Sequence, residues 1–372
     1  MTHPFISYLE EKSPDIETSL QLLERPNIIH KRRDDLIIFK YAHKYQDEVE
    51  RSCRGLIYDG KRKKIVCHPN DGTLDLKTFK VNVPIDECVI EENLEGTLIN
   101  LYFYNNIWNV STKFCINANE SRFRAKLTYR QLFDKLFLHH QYKLLDKSFT
   151  YTFLLRIPED KLVSNIVEPA LFHLESQNNI TGSKLYLNIG TPHISRITPL
   201  ELLNKNGYSG GKLSYRLISQ INNAFSWDIR GLMLYSKDRQ YRCSIINPNY
   251  NKVLSLVKNQ SDLKYLALES QFYKKNSEDI LHYFPEYTEL FDSVKSDYVN
   301  VANTLYSLYR NIYCRKIATT IPKKYQKIVH KIHACFKTHR ANNLVFVIKI
   351  ENVQSVLSQQ DCPYLFTILY KI

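Results

Sequence analysis

The chain has 372 residues, 44% of them hydrophobic, and a formal net charge of +13. That is enough apolar material for one large folded domain and a smaller one, and it excludes a disordered chain. The charge favours a polyanionic partner, nucleic acid ahead of an anionic membrane surface. Eight cysteines occur without a CxxC pair or regular spacing, and MTHPFISYLEEKS is no apolar signal segment, so a reducing compartment is expected. Cys67-His68 and His333-x-Cys335 are isolated pairs, which disfavours zinc, and the longest apolar runs, such as 344–348, are too short to span a bilayer.

Residues 4–25 predict an N-terminal helix with Ser13-Pro14-Asp15 as its cap, ending before Pro26. Leu36 to Tyr41 and Arg54 to Gly60 read as strands, and the run Lys61 to Lys64 reads as a solvated turn. Residues 88–113 predict a β-hairpin: Val89 to Glu91 has strand character, a β-rich run includes Leu98, Leu101 and Phe103, and Ile107 to Thr112 follows an Asn-Asn turn. Glu95-Gly96-Thr97 stands at its entrance. Residues 121–147 predict a helix with a basic face, Phe149 to Val163 a strand and turn, 171–174 and 184–189 strands, 199–203 a short helix, and 207–211 a flexible loop. Strand-like runs return at 227–235 and 240–247.

Five short segments, in order, resemble the motifs of the RNA-ligase branch of the covalent nucleotidyltransferases. Asn93-Leu94-Glu95-Gly96-Thr97 is similar to the first, which has lysine, any residue, Asp/Glu, Gly, Ser/Thr. Glu50 to Asp59, with Arg54 as its arginine, resembles the arginine-glycine element before it, Phe149 to Val163 the third motif, Trp227 to Tyr235 the fourth, and Gln240 to Tyr250, with Arg242 and Ser244 in its two lysine places, the fifth. The resemblance implies that Arg54, Glu95, Gly96 and Arg242 face a nucleotide or its phosphates. It also implies four degenerate positions. Asn93 stands for the lysine nucleophile, Arg156 and Arg230 for two carboxylates, and Ser244 for the second cation of the fifth motif. An amide nitrogen is delocalised and cannot attack a phosphate as an amine does. Lys113, Lys80 and Lys77 are the nearest candidates for a displaced nucleophile.

Beyond Asn251 the apolar period changes to that of helices, with a cap at Asn276 and breaks at Pro285 and Pro322. Residues 278–297 carry six acids and one lysine, whereas 298–350 carry ten Lys/Arg and no acid. Arg310, Arg315, Lys316, Lys323, Lys324, Lys327 and Lys331, interleaved with Tyr306, Tyr309, Tyr313 and Tyr325, form the candidate RNA-backbone surface. This region also resembles the C-terminal helices of RNA-ligase-like proteins of large nucleocytoplasmic DNA viruses.

The expected fold is therefore α+β: a nucleotidyltransferase domain of antiparallel sheets with flanking helices over 1–255, of the RNA/DNA-ligase, ATP-grasp-like type, and an all-helical basic domain over 256–372. The expected function is a catalytically inactive RNA-ligase homologue that binds RNA or joins a viral transcription or RNA-processing assembly, in the host cytoplasm or the virion, without membrane attachment. Two alternatives stand beside it: an active ATP-dependent RNA ligase using a displaced lysine, and a scaffold for an acidic protein. No cofactor and no metal are expected, with ATP and Mg2+ required only if the ligase site is retained.

Overall fold

The computed structural model describes residues 3–185, 187–208, 213–342 and 347–371, which divide into two compact units, Met1–Leu254 and Ser255–Ile372. In the first unit, α1 (Pro4–Lys12) and α2 (Ile16–Gln21) precede β1 (Ile28–Arg33), β2 (Leu36–Tyr41), α3 (Glu48–Ser52), β3 (Arg54–Asp59) and β4 (Lys64–Cys67). The single helix expected over 4–25 is two helices, because Pro14 interrupts the first. Asp15 then starts the second, its carboxylate accepting from the Thr18 N–H at 2.9 Å. The four strands form an antiparallel meander in the order β1-β2-β3-β4. One face of it buries Ile37, Phe39 and Leu56 against Phe5 and Leu9 of α1.

The chain continues through α4 (Leu76–Asn82), β5 (Cys88–Glu92), β6 (Thr97–Tyr104), β7 (Ile107–Thr112), α5 (Tyr129–Leu136), β8 (Phe149–Arg156), β9 (Ala170–Asn178) and β10 (Lys184–Leu185). It then forms β11 (Arg196–Ile197), α6 (Pro199–Lys205), α7 (Tyr215–Asn223), β12 (Gly231–Ser236), β13 (Arg242–Ile246) and α8 (Pro248–Val257). Strands β6 and β7 make the expected hairpin, with Asn105 and Asn106 at φ 50° and 63°, the two left-handed positions that a tight Asn-Asn turn supplies. They belong to a five-stranded sheet in the order β10-β9-β8-β6-β7. Strand β5 does not continue that hairpin. It lies in a separate sheet, β11-β5-β12-β13, so residues 93–96 carry the chain from one sheet to the other.

Two further expectations change. Helix α5 covers only eight residues, opened by a Thr128–Gln131 capping box, so Arg122, Arg124 and Lys126 precede it and no continuous basic helix spans 121–147. The strand expected over 184–189 reduces to two residues, and the loop expected over 207–211 lies largely outside the described residues. Helix α7, which is not expected from the sequence, packs Ile218 and Ile221 with Leu232 and Leu234 of the β11-β5-β12-β13 sheet.

The crossing at 93–96 is held by one side chain. Glu95 is buried, and its carboxylate accepts from the backbone N–H groups of Leu162, Val163 (3.0 Å) and Ser164 (2.9 Å) and from the Tyr250 hydroxyl (2.7 Å). Gly96 follows because nothing larger fits: a Cβ there would stand 2.7 Å from the Leu155 carbonyl oxygen. The second unit is all helical: α9 (Leu263–Glu269), α10 (Ser277–Tyr283), α11 (Thr288–Tyr309), α12 (Lys323–Asn342), α13 (Ile350–Ser358) and α14 (Cys362–Tyr370). None of the described helices is long and apolar enough to cross a membrane.

Glu95→Ala should destabilise the protein by about 3 kcal/mol, because it strands three buried N–H donors and a hydroxyl, and Glu95→Gln should cost less. Urea unfolding followed by circular dichroism measures both. A loss below about 1 kcal/mol in the alanine variant would show that the carboxylate does not carry the crossing.

Candidate functional site

Between the two sheets that residues 93–96 join lies a cavity of about 210 Å3. Strand β3 delivers Arg54 to it, the end of β5 delivers Glu91, Glu92 and Asn93, the start of β12 brings Arg230 and Met233, and β13 brings Arg242 and Ser244. Leu98, Leu154, Leu174 and Ile194 supply an apolar wall. Six of the residues singled out from the sequence, Arg54, Asn93, Gly96, Arg230, Arg242 and Ser244, therefore meet in one place. The backbone N–H of Asn93 donates to the Gly231 carbonyl at 2.9 Å, and its side-chain amide donates to the Ser244 Oγ at 2.8 Å. The positions of the lysine nucleophile and of a flanking lysine are thus joined to each other by a neutral hydrogen bond.

The charged groups divide into occupied and available ones. Glu91 accepts from Arg196 Nε and Arg239 Nη1, both at 2.9 Å, and Arg239 Nε also pairs with Glu175 at 3.3 Å. Asn70 donates to Glu175 at 2.6 Å and accepts from Arg242 Nη1 at 2.9 Å. That leaves Nε and Nη2 of the buried Arg242 without a hydrogen-bond partner. Arg54 has no carboxylate partner among the described residues, and burial together with Arg242 and Arg230 pushes its guanidinium down to about 10. Burial raises the Glu92 carboxyl, with Arg156 opposing and Asp228 adding to that rise. A partly buried cluster of cations with open donors and few countercharges has the chemistry that suits an anion.

The two arginines that stand where carboxylates are expected have a structural role. Arg156 Nε donates to the Glu95 carbonyl at 3.1 Å, and Arg230 Nη1 donates to the Leu94 carbonyl at 3.3 Å. Both pin the turn that carries Asn93. Glu95 departs from the expected nucleotide-facing role: its carboxylate is saturated by loop 162–164 and Tyr250, and it does not line the cavity. Gly96 lines it through its backbone.

No protein-family model matches the sequence. Two curated proteins match part of it. The immediate-early protein ICP-46 homolog of Invertebrate iridescent virus 3 is 23% identical over 314 residues, 77% of this chain and 66% of its own. The RNA ligase of Rhodothermus phage RM378 is 25% identical over 243 residues, 54% of this chain and 52% of its own. By sequence, this chain is similar to a phage RNA ligase and to an iridescent-virus immediate-early protein. It spans less than two thirds of those relatives' lengths. An archaeal ATP-dependent RNA ligase of known structure superposes loosely, with a TM-score of 0.46 and 8% identity over 72% of this chain and 68% of its own.

The cavity of this ligase-like chain does not fit a divalent metal. Mg2+ takes hard oxygen donors, whereas the lining presents three arginines, an amide and a serine; Glu91 is paired with Arg196 and Arg239 through Oε1, leaving Glu92 as the one lining carboxylate without an ion pair. The phosphates of a nucleotide fit the donors, and its base fits the apolar wall. Of the lysines considered as displaced nucleophiles, Lys77 and Lys80 are exposed on α4. Lys113 lines a small adjoining cavity with Arg54, Asn70, Leu98 and Thr152, and its Nζ sits 4.2 Å from the centre of the Tyr41 ring.

In the second unit, α12 turns Tyr325, Ile328, Val329 and Ile332 inward and leaves Lys323, Lys327 and Lys331 exposed, one per helical turn. Lys324 is partly buried, and Arg310, Arg315 and Lys316 are exposed around the end of α11. Tyr309 and Tyr325 are buried packing residues, so they are not stacking platforms. Tyr313 is stacked on His333 at 3.9 Å between ring centres, and Arg310 lies over Tyr306 at 5.7 Å.

Lys113 should react first among the lysines. Burial, with Arg54 and Lys40 nearby, brings its amine down to about 8, so near pH 8 about half of it is neutral, against under ~1% of an ordinary lysine. Because the folded protein holds this proton less tightly than the unfolded chain, the interaction costs stability below about pH 8, and the cost fades as pH rises toward the ordinary lysine range. Graded acetylation with peptide mapping should modify Lys113 at lower pH than Lys77 or Lys80, and Arg54→Ala should reduce that difference.

Proposed function

We propose that this protein is a ligase-like RNA-binding protein that no longer forms the lysine–nucleotide bond and keeps the old pocket as a non-covalent site for a phosphate-bearing ligand. The observation that carries this reading is the Asn93–Ser244 hydrogen bond at the nucleophile position, set among Arg54, Arg230 and Arg242. An amide cannot make the covalent intermediate, and arginines at two carboxylate positions oppose the metal that activates the triphosphate. The same arginines favour phosphate oxygens in a partly dry cavity. The exposed Lys323, Lys327 and Lys331 row, with Arg310, Arg315 and Lys316, supports RNA as the macromolecular partner, in viral RNA processing or transcription.

One observation favours a second reading, an active ligase with a displaced nucleophile. Lys113 is a desolvated amine beside Arg54, the environment that makes a lysine nucleophilic. Incubation with ATP labelled at the α-phosphate and Mg2+, followed by denaturing electrophoresis, separates the two readings. No labelled band is expected; a band whose peptide map ends at Lys113 would replace the first reading with the second.

Non-covalent binding has its own measurement. ATP without added metal should raise the melting temperature, and Arg54→Ala or Arg242→Ala should weaken binding by roughly tenfold, about 1.4 kcal/mol. For RNA, the log–log slope of affinity against salt should fall by about 2 when Lys323, Lys327 and Lys331 are all replaced by Glu, at roughly 0.7 per lost phosphate contact. An unchanged slope would remove α12 from the interface.

A further inference from the structure

A second cluster lies away from the arginine-lined cavity, in the first unit, and the proposed function makes no use of it. His3 caps the start of α1, and His68 and Asp71 follow β4. One donor atom from each of the three comes within 4.8 Å of the others. The imidazole rings stand edge to face, 4.7 Å between centres, and are only 6% and 7% exposed. His3 Nε2 and His68 Nδ1 are both buried without a hydrogen-bond partner. Two orphaned ring nitrogens beside a carboxylate are costly unless something binds them.

The surroundings supply what a metal-bound histidine needs on its far side. His68 Nε2 lies 2.9 Å from the side-chain amide of Gln177, whose Oε1 otherwise has no partner. With that amide turned, Oε1 accepts from His68 Nε2–H, and the Nδ1 lone pair is left facing His3 and Asp71. Asp71 is oriented through Oδ2 alone, 3.5 Å from Arg51 and 3.8 Å from Lys184, and its Oδ1 makes neither a hydrogen bond nor an ion pair among the described residues.

We infer that His3, His68 and Asp71 form a three-ligand site for a divalent transition metal of the zinc class, with water completing a tetrahedron. Two imidazoles and one carboxylate match Zn2+ or Co2+ and not Mg2+ or Ca2+. Two features hold the affinity below that of a closed structural zinc site. Arg51 and Lys184 offset part of the Asp71 charge. Ligation through His3 Nε2 also moves the ring proton to Nδ1, which gives up the 3.3 Å bond that Nδ1 accepts from Phe5 N–H. In return the metal ties the beginning of α1 to the segment after β4. Asn70, the partner of Arg242 in the arginine-lined cavity, sits in that segment, so an occupied site stiffens one wall of the cavity from behind.

The test uses the full-length chain without a histidine tag, stripped with chelator and titrated with Co2+. The expected result is one Co2+ per chain, with the visible bands of a four-coordinate ion, bleached by Zn2+. His3→Gln, His68→Ala and Asp71→Asn should each lose the bands, and Gln177→Leu, which leaves the three ligands in place, should weaken binding about 10-fold or more. Replacement of the exposed His330 by Gln should change nothing. His3→Gln, which replaces a side chain at the N-cap of α1, carries the test if His68→Ala fails to fold. Absence of bands in the wild type, or bands of equal strength in both His3→Gln and Asp71→Asn, would overturn the assignment. The ATP-adduct and RNA measurements are independent of this outcome.

Discussion

A buried carboxylate with four donors around it organises the first unit. Glu95 sits where the chain leaves one antiparallel sheet and enters another, and its oxygens collect three backbone N–H groups and a tyrosine hydroxyl. Each donor comes from a segment far along the chain, so one side chain fixes the spacing of β5, β6, the turn after β8, and α8. A charge at that depth is tolerable only because its hydrogen bonds are complete. Asn93 and Gly96, on either side, inherit their positions from it. The pocket is shaped by the same contact, since its floor is the backbone of this crossing.

Electrostatics then decides what the pocket accepts. Arg54, Arg230 and Arg242 converge on a small volume, while Glu91 is neutralised by Arg196 and Arg239. Arg156 and Arg230 stabilise the crossing by donating to the carbonyls of Glu95 and Leu94, so the residues that remove metal-binding character also support the turn. In a partly dehydrated cavity such cations interact strongly with phosphate oxygens and repel a bare divalent ion. On the function proposed above, the loss of metal-dependent chemistry and the capacity to hold a phosphate thus share a cause.

Much of this was legible in the sequence, and the failures have definite origins. The Asn105-Asn106 turn between β-rich runs located the β6–β7 hairpin, and the order of the degenerate motifs brought Arg54, Asn93, Arg230, Arg242 and Ser244 to one cavity. The sheet to which β5 belongs was not legible, because an alternating strand pattern carries no information about its partner. β1 was missed because five of its six residues are exposed, so it lacks an apolar signature. The role of Glu95 was misjudged since its partners lie at 162–164 and 250, and three of them are backbone groups that leave no residue-type signal. His3, His68 and Asp71 meet across a similar gap, where the local spacing of His68 with Cys67 suggested nothing; Cys67 instead faces Ser111.

Under the proposed function, the Asn93–Ser244 hydrogen bond also bears on whether a lysine-based chemistry could be built at this site by single steps. A lysine returned to position 93 would lose its neutral partner and place a fourth cation among three arginines, in a cavity where Glu92 is the only lining acid not already paired. Restoring either carboxylate alone, at 156 or 230, would remove a donor that holds the Leu94–Glu95 turn before any metal could reward the change. On that proposal each single exchange removes a framework contact before any chemistry is gained. The site then acts as a ratchet, because Asn93, Arg156 and Arg230 are part of the framework and resist being exchanged one at a time.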